Sequence, residues 1–138
     1  MFSSERDELR KMYFMAWEKH LNKLPVEPLE AQIIEIILQH PEYHAFLENP
    51  EKHQAQDFIE ANPFLHLSLH LALREQISTN RPHGIKNVYR DLMMKYADNL
   101  LVEHRMMECL ERILWEAQRS GAMPDEGIYL ESLRELLY

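Results

Sequence analysis

The segment that indicates the fold class most clearly covers residues 62–78 and reads NPFLHLSLHLALREQIS. Asn62 is a favoured helix N-cap and Pro63 is favoured at the first helical position, so we predict that a helix begins here. At 100° per residue, one stripe of this helix, about 60° wide, carries two histidines and two large apolar residues. The stripe consists of His66, His70, Leu73 and Ile77. We expect it to face the core, where two imidazoles would need partners.

The same apolar spacing continues through most of the chain and predicts an all-α fold. There are only three glycines, and no Asn-Gly, Asp-Gly or Gly-Gly pair suggests a β-hairpin. We predict a single domain over residues 1–138, built as a bundle of five to six helices. A short helical turn is expected to begin at Pro41, and the polar residues 49–61 are expected to form a loop.

The composition narrows the classes of partner. Lys and Arg number 15 against 23 Asp and Glu, giving a net charge of −8, which argues against a nucleic-acid partner. Neither a membrane-spanning stretch of about 20 apolar residues nor a signal peptide is expected. The lone Cys109 excludes an internal disulfide and suggests the cytoplasm. A homo-oligomer and a protein partner both remain open.

Three short clusters carry most of the residues that could do chemistry. In each cluster two side chains stand four residues apart, which on a helix places them on one face. If the three clusters converge, they could form one metal site or one catalytic pocket. The pairs are His40 with His44, His66 with His70, and His104 with Glu108.

A metal ion gives this grouping a physical reason. Neutral imidazole and carboxylate groups suit zinc, iron, nickel or manganese, and helical bundles build such sites from facing helices. The candidate ligands are His40, His44, His66, His70, His104 and Glu108. Glu103 falls within the apolar arc of its helix, so we expect it to be buried. Glu103 or Glu35 could be a bridging ligand, a base or the acceptor of an imidazole N–H. A metal with open positions would favour hydrolysis, although no catalytic residue can be assigned.

Two other interpretations remain open at this point. The histidines could form a buried hydrogen-bonded network in a non-enzymatic protein-interaction module, with an apolar helix face binding a partner. They could also act as a pH switch at about pH 6. The chain has no phosphate-binding loop, dinucleotide fingerprint or Ser-His-Asp series.

Several longer strings of the chain point to a family. They are SSERD (3–7), HPEYH (40–44), NPFLHLSLHLALREQ (62–76), RPHGI (81–85), HRMMECL (104–110) and LWEAQ (114–118). Together these strings resemble one bacterial protein family, the domain-of-unknown-function family numbered 1841, found mainly in proteobacteria. The resemblance extends over nearly the whole chain.

The resemblance implies a small cytoplasmic protein with no assigned activity, so it supplies no catalytic residues to carry over to this chain. Its motifs coincide with the three histidine clusters. At Glu111 and Arg112 this chain departs from the small residue and acidic residue that the family pattern leads us to expect. We therefore leave Glu111 out of the candidate site.

Overall fold

The computed structural model describes residues 2–56, 58 and 62–138, with side chains from Arg6 onward. These residues form eight α-helices and one 3-10 turn at Pro41–Tyr43, and none of them lies in a β-strand. The helices are α1 (Phe2–Leu21), α2 (Pro28–Leu38), α3 (His44–Leu47), α4 (Pro50–His53), α5 (Pro63–Thr79), α6 (Ile85–Tyr96), α7 (Asn99–Ser120) and α8 (Glu126–Glu135).

The all-α prediction is confirmed, but the predicted number of five to six helices is wrong. The two helices beyond six, α3 and α4, have four residues each. The short helical turn expected to begin at Pro41 is confirmed by the 3-10 turn and α3, whereas α4 lies in the predicted loop. Four residues form one turn, which is too short to show an apolar period. Pro50 is the first residue of α4 and supplies a helical φ angle inside the predicted loop. Residues 57 and 59–61 of that loop lie outside the described part of the chain.

The start of α5 follows the sequence prediction. Pro63 is its first residue, and the Asn62 Oδ1 accepts the N–H groups of Phe64 at 3.0 Å and Leu65 at 3.3 Å. This cap satisfies two amides that have no partner within the helix.

Contacts within the chain form two compact units, Met1–Ser68 and Leu69–Tyr138, and α5 contributes residues to both. The prediction of a single domain stays a prediction. In the first unit α1 packs against α2 and α3. Its buried apolar residues are Tyr13, Phe14, Ala16, Trp17, Ile33, Ile34, Ile36, Ile37, Leu47, Phe64 and Leu67.

A buried arginine joins α1 to the segment after α4 within the first unit. Arg10 donates from Nη1 to the carbonyl oxygens of Gln54 at 3.1 Å and Gln56 at 2.7 Å. Its guanidinium also lies 4.6 Å from the centroid of the Phe64 ring. Because this charge is hydrogen-bonded and stacked, its burial is compensated.

In the second unit α6, α7 and α8 pack together with the C-terminal part of α5. The Asp98 carboxylate caps α7 by accepting the Leu101 N–H at 3.1 Å. Gly121 ends α7 at φ 72°, a left-handed conformation that glycine adopts without strain. The buried cluster consists of Leu69, Leu73, Ile85, Val88, Leu92, Val102, Met106, Met107, Cys109, Leu110, Tyr129 and Leu133.

Among the described residues, no helix combines the length and the apolar character that a membrane crossing requires.

Candidate metal centre

Four of the predicted ligands form two histidine pairs, one in each unit. We call His40 with His66 the first pair and His70 with His104 the second pair. Helix α5 carries one histidine of each pair, and these two residues lie one helical turn apart on the same face. His40 follows α2 directly, and His104 lies in the second turn of α7.

In the first pair His40 is 2% exposed. Its Nδ1 lies 2.8 Å from the carbonyl oxygen of Ile36. A carbonyl can only accept, so His40 Nδ1 carries the proton. In the neutral ring Nε2 then holds a lone pair, and this atom lies 3.2 Å from Nε2 of His66.

The end of α2 explains why this acceptor is available. The last carbonyls of a helix lack amides one turn further on. The His40 N–H donates to the Ile37 carbonyl at 2.9 Å. The Ile36 carbonyl therefore accepts the Gln39 N–H at 3.1 Å and keeps a second lone pair for the His40 ring. The His40 ring therefore folds back onto Ile36. On its other side it stacks against Tyr43, with ring centroids 5.6 Å apart and planes 3° from parallel.

In the second pair His70 is fully buried, at 0% exposure. Its Nδ1 lies 3.0 Å from Oε1 of Glu103, and its Nε2 lies 3.2 Å from Nε2 of His104. An ionised carboxylate only accepts, so His70 carries its proton on Nδ1. The orientation is the same as in the first pair, but a charged group replaces the carbonyl.

Glu103 is 2% exposed, as its place in the apolar arc of α7 predicts. Arg74 donates from Nε to Oε1 at 3.0 Å and from Nη2 to Oε2 at 3.2 Å. Asn99 donates to Oε2 at 3.3 Å. Burial alone would raise the pKa of the Glu103 carboxyl, but the hydrogen bonds from His70 and Arg74 and the charge of Arg74 outweigh it. The pKa therefore lies below its ordinary value of 4.5.

The spacing within each pair fits two chemical states. A tetrahedral ion with metal–nitrogen distances of about 2.0–2.1 Å separates its ligand nitrogens by about 3.3 Å. The observed 3.2 Å is close to this value. It also fits an N–H···N hydrogen bond in which His66 or His104 donates from Nε2. The two states differ in whether a proton or a metal ion occupies the space between the rings.

Two of the predicted ligands have other surroundings. His44 directs Nε2 to the Ile37 carbonyl oxygen at 2.8 Å and packs on the Trp17 ring at 4.5 Å. Because Pro41 interrupts the helix, His40 and His44 do not share one helical face. Glu108 lies on an exposed face of α7.

Sequence reasoning did not identify Arg74 and Asn99 as part of the site. The available signal is their spacing, since Arg74 lies four residues after His70 and Asn99 four residues before Glu103. Asn99 is thus one helical turn from the carboxylate that it supports, and Arg74 is one turn from the histidine that shares its acceptor. The Ile36 carbonyl has no signal of its own, because a backbone acceptor depends on where α2 ends.

The chain belongs to the protein family described as "Domain of unknown function (DUF1841)", which matches residues 5–135. This confirms the family on which the sequence resemblance rests. No curated protein and no solved structure matches the chain.

Proposed function

We propose that this protein binds one transition-metal ion through His40, His66, His70 and His104. These four side chains could together offer a metal ion one nitrogen each. The observation that supports the proposal most strongly is the same in both pairs. Two Nε2 atoms face each other at 3.2 Å, and one ring of each pair donates Nδ1–H to an oxygen.

This arrangement is the usual support for a metal-bound histidine. A ligating imidazole commonly donates its other N–H to a carbonyl or carboxylate, which fixes the tautomer and the ring orientation. His40 has the Ile36 carbonyl in this role and His70 has the Glu103 carboxylate. Both rings are therefore held with an Nε2 lone pair directed at a second imidazole.

Helix α5 supports the step from two pairs to one site. His66 and His70 are separated by one turn, which places their Cβ atoms about 5–6 Å apart on the same face. Two imidazoles at this spacing can bind the same ion. We propose that each brings its partner, His40 or His104, to that ion.

The donor set narrows the choice of metal. Imidazole nitrogen suits zinc, copper, iron and nickel, whereas magnesium and calcium prefer oxygen. Of the four metals expected from the sequence, zinc, iron and nickel fit best. Manganese fits least, because divalent manganese binds nitrogen donors most weakly in this series.

Hydrolysis at the metal is a further step of this proposal. Four protein nitrogens fill a tetrahedral shell, so a zinc ion held by all four would have a structural role. An octahedral iron or nickel ion would keep two positions for water and substrate, as Lewis-acid chemistry requires. We therefore link any enzymatic activity to a six-coordinate metal.

The second candidate function is a non-enzymatic interaction module. In its favour, each Nε2–Nε2 contact at 3.2 Å can be a hydrogen bond without any metal. Exposed apolar side chains on α7, α8 and the turn between them would then bind a partner or a second copy of the chain. They include Trp115, Met123 and Ile128.

Elemental analysis of the untagged protein, followed by zinc titration, separates the two functions. We expect close to one metal ion per chain in the wild type, and loss of the metal in His70→Ala and His66→Ala. His83→Ala is the matched control, because His83 is exposed outside both pairs and its removal should change nothing. A metal-free wild type that takes up no zinc would reject metal binding and support the interaction module.

The cellular location and the biological source of the protein are also proposals. Cys109 is a free, buried thiol, which suits the reducing cytoplasm that we propose. Bacterial origin and the absence of nucleic-acid and membrane partners stay predictions from the sequence.

A further inference from the structure

We propose that Arg74 is a positioning residue that controls how strongly His70 donates to the metal, acting through Glu103. This inference rests on the proposed metal binding. It assigns a role in the metal site to a side chain that has no ligand atom.

The contacts place Arg74 in the right position for this role. Its Nε and the His70 Nδ1 both lie 3.0 Å from the same atom, Oε1 of Glu103. Its Nη2 donates to Oε2, so the guanidinium hydrogen-bonds both carboxylate oxygens. The Arg74 side chain is 24% exposed, whereas that of Glu103 is 3% exposed. Arg74 is thus the member of the chain His70–Glu103–Arg74 that reaches toward solvent.

The chemistry of a shared oxygen gives the direction of the effect. A carboxylate that accepts the Nδ1–H of histidine pulls on that proton and increases the basicity of Nε2. A guanidinium on the same oxygen draws charge away from the proton, so the donor strength of His70 falls. Arg74 therefore reduces the effect of Glu103 on the donor strength of His70, although it also holds the Glu103 carboxylate in place.

A second electrostatic effect acts in the same direction. A metal dication beside His70 is repelled by the positive charge of Arg74 and attracted by the negative charge of Glu103. Such effects are strong among buried groups, where water screens charges least. Removing the positive charge should therefore strengthen metal binding, and removing the negative charge should weaken it.

The test is a titration of cobalt(II) alone into the full chain, with affinity and the visible absorption band as readouts. We expect Glu103→Gln to lower the affinity by about 10–100-fold, the usual effect of losing a group that supports a ligand. Arg74→Met should raise the affinity, and Arg74→Lys, which keeps the charge but loses the two-point contact with the carboxylate, should raise it less than Arg74→Met does. The cobalt band should move in opposite directions in Glu103→Gln and Arg74→Met.

Arg74→Gln is a second variant that removes the charge and keeps a hydrogen-bond donor, should Arg74→Met fail to fold. Arg90→Met is the matched control, because Arg90 is an exposed arginine of the same unit and its loss should leave the affinity unchanged. If folded Arg74→Met or Arg74→Gln bound cobalt more weakly than wild type, Arg74 would be merely structural and the inference would be overturned. A wild type that binds no cobalt would instead overturn the proposed metal site itself.

Discussion

The two histidine pairs have the same internal geometry but different support. In both pairs the Nε2 atoms lie 3.2 Å apart. In the first pair a neutral backbone carbonyl of Ile36 orients His40, whereas in the second pair the ionised carboxylate of Glu103 orients His70. Hydrogen bonds to charged groups are roughly twice as strong as neutral ones. The second pair should therefore be the better-ordered half of the site and the stronger donor to a metal.

The two supporting groups also differ in whether a substitution can remove them. The carbonyl of Ile36 belongs to the backbone, and no side-chain substitution removes it directly. The Glu103 carboxylate, with Arg74 and Asn99 around it, can be altered one atom at a time. Substitutions can therefore test the support of the second pair directly, whereas the support of the first pair is tested by changing His40.

Loss of His70 should have the largest effect on the fold and on metal binding. His70→Ala removes a ligand, creates a cavity and deprives the buried Glu103 of a donor. We expect a loss of about 2–4 kcal/mol in the free energy of unfolding with chelator present. His40→Ala removes one of two donors from the Ile36 carbonyl, which still accepts the Gln39 N–H, and should cost less, about 1–2 kcal/mol. Urea unfolding of both variants checks this order, and equal losses would remove the distinction between the pairs.

Acid should weaken the second pair through Glu103. The folded pKa of this carboxyl is below its ordinary value of 4.5. Its contribution to stability is therefore fully present above pH 4.5 and is lost as the pH falls through the folded pKa. We expect the difference in unfolding free energy between wild type and Glu103→Gln to shrink as the pH falls below about 4.5, with chelator present. A difference that is constant with pH would show that Glu103 ionisation does not stabilise the fold.

Asn99→Ala should give a small effect confined to the second pair. Asn99 donates one hydrogen bond to Oε2, which Arg74 also holds. We expect a loss of about 0.5–1.5 kcal/mol in unfolding free energy and a zinc affinity within about tenfold of wild type. Chelator-treated unfolding and zinc titration measure the two quantities. A loss as large as that in Glu103→Gln would mean that Asn99, not Arg74, positions the carboxylate.

Much of the fold could be predicted because its signals are local. The Asn62 cap, the Pro63 start and the stripe with His66 and His70 depend on neighbours along the chain. Burial of Glu103 followed from the apolar arc of α7 in the same way. The helical turn expected from Pro41 is found as the 3-10 turn and α3. The four-residue helix α4 could not be predicted, because one turn leaves no periodic pattern.

The candidate site was predictable only in part. His40 and His44 have the right spacing for one helical face, but Pro41 ends α2 between them and His44 turns to the Ile37 carbonyl. His104 and Glu108 share a helix, yet the face toward the core ends between them, so Glu108 is exposed. The contact between Arg74 and Glu103 joins residues 29 positions apart, and no local pattern encodes it.

Either a metal ion or a shared proton can hold the paired rings together, and we propose the metal ion. A long-range ¹H–¹⁵N spectrum of the histidine rings, recorded without metal and with one equivalent of zinc, separates the two states. With a bound metal, four of the eight histidines should change on zinc addition. His40 and His70 should keep their Nδ1 protons, and the Nε2 atoms of these two rings should shift on coordination. Unchanged ring signals, with protons remaining on Nε2 of His66 and His104, would mean that the rings share a proton and bind no metal.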